Sequence, residues 1–282
     1  MTIFEAYNTT KQRLKKAGIE DYVFEAKEII KAVTGLNASQ ILALYNKRLS
    51  EYEENNLTAV IHQREIRYPL QYIFGRWDFY GRSFFVGPGV LVPRADTETL
   101  VDEALDYLKG INNPKILDLC AGSGCIGITL SKEIPESEVY LVEKYDEALN
   151  YLNKNIRLNN CENAFAVKGD IFEGALNDKE YDLIVSNPPY IPKKEMEIIS
   201  PETRFEPETA LLAEDDGLQF YKAIVKRYTP CLKKGGMLAF EFGIDQAGKI
   251  EKILKTEGFT DIKIKKDLNG KQRVITGIRA EE

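Results

Sequence analysis

Two groups of residues in this sequence have the types and spacing of a chemical site. The first is Asn187-Pro188-Pro189-Tyr190, which follows the short apolar run Tyr181-Asp182-Leu183-Ile184-Val185-Ser186. That run reads as a buried parallel strand. Neither proline has an N–H for a strand ladder, so the chain must leave the sheet here. It leaves at the carboxyl edge, where open α/β sheets bind their ligands. Asn187 brings an amide oxygen, each proline leaves a carbonyl free on stiff backbone, and Tyr190 adds a flat face. Two fixed acceptors beside an aromatic surface suit a planar NH2 group. Each takes one N–H, and the nitrogen keeps a third direction open for reaction. The plainer alternative is a Pro-Pro turn that ends a strand.

The second group is Asp118-Leu119-Cys120-Ala121-Gly122-Ser123-Gly124-Cys125-Ile126-Gly127. Gly122 and Gly124 remove Cβ atoms where a ligand would meet backbone from Cys120 to Gly124, with a helix N-terminus behind. Glu143 ends the next strand about 20 residues on, where a carboxylate accepts from ribose hydroxyls. Gly122, Gly124 and Gly127 satisfy G-x-G-x-x-G, so a nicotinamide dehydrogenase stands as a rival reading. Three features point instead to S-adenosylmethionine. Asp118 precedes the glycines, placed for the ammonium end of that ligand. Asp170-Ile171-Phe172 follows the third strand, an acid and two apolar side chains suited to an adenine. The NH2-binding loop after the fourth strand lies beside the first strand, so a methyl donor and an amine acceptor would share one crevice. A turn cap for Asp170 and a solvated strand end for Glu143 are the plain alternatives.

These loops need a sheet to hold them. From Lys115 onward, apolar strand patterns at Ile116–Leu119, Val139–Glu143, Ala164–Val167, Leu183–Ser186, Met237–Phe242, Ile262–Lys265 and Val274–Ile278 alternate with helical ones. The helices are expected at Cys125–Lys132, Asp146–Asn159, Leu218–Cys231 and Gln246–Glu257. Such alternation means a mostly parallel, doubly wound sheet with helices on both faces. Asn269-Gly270 is a hairpin signal, so the last strand should be antiparallel to its neighbour. Residues 1–70 read as a small helical domain. Tyr22, Val23, Ala26, Ile29, Ile30 and Val33 keep a 3.6-residue period up to Gly35, and Ser50 with Glu53 forms a capping box. Residues 71–94, rich in aromatic residues and Gly, read as a connector with a hairpin turning near Gly81. Residues 95–282 form the sheet domain.

The composition narrows the function classes. Of 282 residues, 44% are hydrophobic, enough for a real core, and no apolar run has the length of a membrane span. The only histidine is His62, and the four cysteines form no CxxC pair, which argues against a zinc site. The opening residues lack a secretory pattern, so a reduced cytoplasmic compartment is expected. The net charge is −6. Residues 1–75 carry 10 Lys and Arg against 9 Asp and Glu, and the remainder 28 against 35, so neither part is a basic nucleic-acid platform.

The chain resembles the HemK/PrmC protein-(glutamine-N5) methyltransferases. The resemblance runs from about Arg67 to the C-terminus, a span fixed by the motifs themselves. It rests on Pro69-Leu70-Gln71-Tyr72-Ile73-x-Gly75, Leu91-Val92-Pro93-Arg94-x-Asp96-Thr97-Glu98, the glycine loop, Asn187-Pro188-Pro189-Tyr190-Ile191-Pro192 and Phe205-Glu206-Pro207. It implies a Rossmann-like seven-stranded class I methyltransferase sheet with a small all-helical N-terminal domain that recognises the substrate. It implies S-adenosylmethionine as cofactor and peptide chain release factors as partners, methylated on the glutamine of their Gly-Gly-Gln loop. Neither direct nucleic-acid nor membrane contact is expected, and the chain is expected to be a monomer. Asn187, Pro188 and Tyr190 would carry the transfer, with Pro189 in the substrate loop and Asn187 also in contact with the cofactor. The Asn-Pro-Pro-Tyr element is shared with adenine and guanine amino-methyltransferases, which remain the alternative. Cys120 stands where the family has a glycine, and Glu143 where it often has Asp.

Overall fold

The computed structural model describes residues 1–178 and 180–281. The chain divides into two compact units, Met1–Gly75 with Ser200–Phe205, and Arg76–Ile199 with Glu206–Glu282.

The first unit is helical, with α1 (Ile3–Lys16), α2 (Tyr22–Thr34), α3 (Ala38–Ala43), α4 (Glu51–Glu65) and α5 (Leu70–Phe74). Thr2, Asn37 and Ser50 each close a capping box with the residue three positions on, which satisfies donors that have no partner within the helix. Gly35 ends α2 in the left-handed conformation, as its position in the sequence indicates. The apolar face of α2 (Ala26, Ile29, Ile30, Val33) is buried against Ile3, Leu14, Leu57 and Ile61. Each buried Ile, Leu or Val side chain contributes roughly 1.5–3 kcal/mol. Arg64 is only 1% exposed, and a charge so buried needs partners. Its guanidinium donates to Glu25 at 2.7 and 2.9 Å, to the Tyr68 carbonyl at 2.6 Å and to Glu202 at 3.2 Å. Arg67 pairs with the same Glu202 at 2.7 Å. The Ser200–Phe205 segment thus folds with the helices although it lies far from them in sequence.

The second unit carries the sheet. A hairpin of β1 (Arg76–Phe79) and β2 (Arg82–Phe85) comes first. The sequence suggests a connector here, but Phe79 and Phe84 pack into the core of this unit. The main strands are β3 (Lys115–Leu119), β4 (Glu138–Glu143), β5 (Ala164–Lys168), β6 (Tyr181–Ser186), β7 (Leu232–Glu241), β8 (Phe259–Lys266) and β9 (Gln272–Arg279). They form one seven-stranded sheet in the order β5-β4-β3-β6-β7-β9-β8. All pairings are parallel except those of β9, which runs antiparallel to β7 and β8. This is the doubly wound sheet with a reversed last strand that the alternation and Asn269-Gly270 imply.

Helices α6 (Glu98–Leu108), α7 (Cys125–Glu133) and α8 (Asp146–Leu158) cover one face. The one-turn α9 (Glu214–Gly217), α10 (Gln219–Tyr228) and α11 (Ala247–Thr256) follow, with α10 and α11 covering the other. The strands serve both layers by strict alternation. Ile116, Leu183, Val185, Met237 and Ala239 face the first, and Leu117, Ile184, Leu238 and Phe240 the second. With both faces covered, the free places for ligands are the loops at the strand ends. The order reverses between β3 and β6, whose carboxyl ends carry the glycine loop and Asn187.

Candidate active site

A cavity of about 450 Å³ opens where these loops meet. Cys120, Ala121, Gly122 and Ser123 line it from the loop after β3, and Glu143 from the end of β4. Asp170, Ile171 and Phe172 line it after β5, and Asn187 and Pro189 after β6. Four other residues singled out in the sequence sit just off the wall.

The first of these is Asp118. It is fully buried, and its Oδ2 accepts from the Gly127 N–H at 2.9 Å, tying β3 to the first turn of α7. Its Oδ1 is buried with no partner among the described residues. Burial pushes this carboxyl up to about 7, against the pull of the Gly127 N–H. Asp118 therefore braces the glycine loop from behind and does not reach the cavity wall. Gly124 caps α7 at φ 80°, a left-handed conformation, and a Cβ there would lie 2.4 Å from Leu152 Cδ1. Pro188 is buried. The edge of the Tyr190 ring lies against Gly243, where a Cβ would come within 2.9 Å of its Cδ2. Tyr190 is half-buried, supports the loop through this contact and is not among the residues that line the cavity.

Cys120 answers the question raised by its departure from glycine. Its φ is 61°, the left-handed region that glycine occupies without strain. A side chain there costs about 1–3 kcal/mol, so the loop keeps the glycine geometry at an energetic cost.

Glu143 is 6% exposed. Oε2 accepts from the Gly122 N–H at 2.9 Å, and Oε1 from the Lys144 and Tyr145 N–H groups at 2.8 and 2.9 Å. Burial raises its pKa, and these three backbone bonds oppose the rise. A carboxylate has about four acceptor sites, so roughly one remains for a ligand. Glu143 therefore shapes the glycine loop as well as facing the cavity. Asp170 accepts from the Phe172 N–H at 2.9 Å and pairs with Lys144 at 2.8 Å. Burial pushes its pKa up, but the Lys144 ammonium and that N–H hold it below the usual carboxylate range. Phe172 meets Phe220 at 5.1 Å between ring centroids, and with Ile171 they form an apolar wall.

Asn187 is half-buried, and its Nδ2 donates to Thr97 Oγ1 at 3.5 Å. The Ser186 hydroxyl donates to the Leu119 carbonyl at 2.6 Å and locks the end of β6 to that of β3. Downstream, Ile191 exchanges backbone bonds of 2.8 and 2.9 Å with Leu211 and Ala213, which returns the chain to the site. Glu206 is buried, accepts from the Val92 N–H at 3.0 Å and pairs with Arg94. The Val-Pro-Arg and Glu-Pro stretches are thereby joined, and Pro207 to Ala210 line the cavity beside them.

Comparison with known proteins agrees with this geometry. The methyltransferase small domain matches residues 97–234, and the PrmC N-terminal domain matches residues 5–75. The release factor glutamine methyltransferase of Fusobacterium nucleatum is 37% identical over 278 residues, 98% of this chain and 78% of that protein. That of Geobacter sulfurreducens is 36% identical over 277 residues, covering 98% and 96%. The chain belongs to the release factor glutamine methyltransferase family. Among solved structures, the hMettl16 catalytic domain in complex with an RNA hairpin superposes with a TM-score of 0.59 at 17% identity, covering 82% of each chain. The T. thermophilus 16S rRNA N2 G1207 methyltransferase gives a TM-score of 0.54 at 21% identity, covering 72% of this chain and 49% of that one. At those identities the likeness establishes the fold alone.

In this member of the family, several site residues carry no signal of their own in the sequence. Phe220 reads only as one apolar position of a helix. Glu241 ends β7 at 2% exposure and accepts from Thr97 Oγ1 at 2.5 Å and Tyr190 OH at 3.4 Å. Gln246 donates to the Tyr190 carbonyl at 2.9 Å and accepts from the Gly243 N–H at 3.0 Å. The visible hint was an acid at the carboxyl end of a strand next to β6.

Proposed function

We propose that Asn187 and Pro188 present an acceptor amide to a methyl donor held in the cavity beside the glycine loop. The chain is an S-adenosylmethionine-dependent protein-(glutamine-N5) methyltransferase that acts on peptide chain release factors. The observation that carries the site assignment is the shared wall: the glycine loop, Glu143, the apolar side chains after β5 and Asn187 line one cavity.

The residues present fit the donor. The cavity volume lies within the roughly 300–1,000 Å³ of small-molecule sites. Gly122 has φ 55° and nothing within 4 Å of where its Cβ would be, so backbone is open to a ligand there. Glu143 retains acceptor capacity for a ribose hydroxyl, and Ile171, Phe172 and Phe220 offer an apolar slot for a base. When bound, S-adenosylmethionine supplies an electrophilic methyl group on a sulfonium.

The work of the chain is positioning and electrostatics. An amide nitrogen is a poor nucleophile because its lone pair is delocalised into the carbonyl. Asn187 Oδ1 and the Pro188 carbonyl accept the two N–H bonds of the glutamine, which fixes the nitrogen for in-line attack. Both acceptors interact more strongly as positive charge grows on that nitrogen. Tyr190 and Pro189 keep the loop rigid. Water takes the proton lost after transfer, since the amide proton becomes strongly acidic and no step needs a dedicated base.

The helical unit of residues 1–75 recognises the protein substrate in this reading, supported by its match to the PrmC N-terminal domain. The enzyme works as a monomer in the cytoplasm without direct nucleic-acid contact. The net charge of −6 supports the absence of direct nucleic-acid contact, and among the described residues no helix is long and apolar enough to cross a membrane. The test is methyl transfer from labelled donor to purified release factor, with the modified residue mapped by mass spectrometry.

A further inference from the structure

We propose that Thr97 is a positioning residue that, anchored by Glu241, sets which end of the Asn187 carboxamide faces the substrate. The proposal rests on the reading of Asn187 as the amide acceptor.

A carboxamide has two ends of nearly equal shape and opposite polarity. Only the oxygen end accepts an N–H from a glutamine side chain. With the NH2 end turned to the substrate, donor would meet donor and the acceptor amide would be repelled. The site must therefore choose one of two nearly isosteric rotamers, and packing alone cannot choose.

A chain of hydrogen bonds can. Glu241 lies at the carboxyl end of β7, the parallel neighbour of β6, where Ser186 pairs with Phe240. Burial lifts the Glu241 pKa to about 7, against the pull of the Thr97 hydroxyl and Arg273; above that pH the carboxylate is ionised and only accepts. The Thr97 hydroxyl, 2% exposed, must then donate to Glu241 Oε2, 2.5 Å away. With its proton committed, Thr97 Oγ1 can only accept from its other neighbour. That neighbour is Asn187, whose Nδ2 lies 3.5 Å away. Polarity passes from carboxylate to hydroxyl to amide, and Oδ1 is left for the substrate.

The same carboxylate holds the far end of the loop. Oε1 of Glu241 accepts from Tyr190 OH at 3.4 Å, so one acidic group braces both Asn187 and Tyr190. Arg273 on β9 and Asp96 beside Thr97 also face Glu241, and they are paired with each other at 3.2 Å. Thr97 closes the 3-10 turn Ala95–Thr97 ahead of α6. The Asp-Thr pair of the Val-Pro-Arg-x-Asp-Thr-Glu stretch thus reaches the chemistry through Asn187.

The experiment compares two replacements in the full-length enzyme with S-adenosylmethionine and a release factor. Thr97→Val keeps the shape and removes the hydroxyl. Thr97→Ser keeps the hydroxyl and removes the methyl. Thr97→Val should lower kcat by roughly 10- to 100-fold, the scale of losing one preorganised hydrogen bond. Donor Kd by calorimetry should stay within about twofold, because the glycine loop and Glu143, which hold the donor in this reading, are unchanged. Thr97→Ser should regain most of the lost rate. Adding Thr97→Val to Asn187→Ala should cost nothing further, since the two act as one unit. Thr97→Ala, which also lacks the hydroxyl, serves if the valine variant fails to fold. A near wild-type rate for the valine variant with a slow serine variant would overturn the proposal in favour of packing. Multiplying effects in the double variant would overturn it as well. A wild-type rate for Asn187→Ala alone would instead remove the site reading beneath it.

Discussion

Replacing Glu143 with Gln separates donor binding from the rest of the account. The Glu143 carboxylate accepts three backbone N–H bonds, from Gly122, Lys144 and Tyr145. Gln keeps one acceptor oxygen. Its NH2 end must then face either the Gly122 N–H or the Lys144 and Tyr145 pair, donor against donor. The glycine loop loses a fixed contact, and the ribose site loses a charge. A hydrogen bond to a charged group is worth about 1.5–3 kcal/mol, which is roughly 10- to 150-fold in donor Kd. Calorimetry with S-adenosylmethionine and S-adenosylhomocysteine reads this directly. A urea titration on the same samples shows how much of the change is loosened loop. Turnover at saturating donor should fall by less than about tenfold, because the Asn187 end of the cavity is untouched. A donor Kd within about twofold of wild type would refute the reasoning and return Glu143 to a purely structural brace.

Three further outcomes follow from the same geometry. Asn187→Ala should lower turnover by roughly 100-fold or more while donor affinity holds, as calorimetry beside single-turnover rates would reveal. Asp118 has its pKa lifted from 3.8 to about 7 by burial, so its contribution to stability is fullest below about pH 4 and is lost as pH rises through 7. Asp118→Asn keeps an oxygen for the Gly127 N–H without the charge. It should therefore be more stable than wild type at pH 8, by on the order of 1–3 kcal/mol. The gap should shrink towards pH 5 in urea unfolding, and a pH-independent difference would count against this assignment. Cys120→Gly should relieve strain of about 1–3 kcal/mol against a chain-entropy cost of about 0.5–1 kcal/mol. Its unfolding midpoint should match or exceed that of wild type, and a clear loss would show that the thiol packs more productively than its strained backbone suggests.

Much of this architecture is legible in the sequence because its signals are local. The alternation of apolar residues along β3, β6 and β7 states that both faces are buried, and each capping box lies within four residues. The pairing of Asn187 with the glycine loop is legible too, since a doubly wound order places the ends of those strands together. Other features depend on contacts between distant positions and leave no local trace. Thr97 and Glu241 are 144 residues apart, and nothing in either neighbourhood announces the other. Glu202 joins the helical unit through Arg64 and Arg67, far away in sequence. Asp118 sits in a motif that suggests a ligand contact, but the carboxylate turns inward because the start of α7 has an N–H to satisfy. Tyr190 reads as a stacking face, and nothing in the sequence announces that the edge of its ring rests on Gly243, where a Cβ would come within 2.9 Å.

The central claim is that this site methylates a protein glutamine through Asn187. The most direct measurement offers the wild-type enzyme purified release factor and, separately, DNA and RNA, with labelled S-adenosylmethionine at two salt concentrations. The account predicts one methyl group on the side-chain amide of the Gly-Gly-Gln glutamine, located by mass spectrometry, and negligible label in nucleic acid. Label that survives protease in the nucleic acid and is absent from release factor would contradict it.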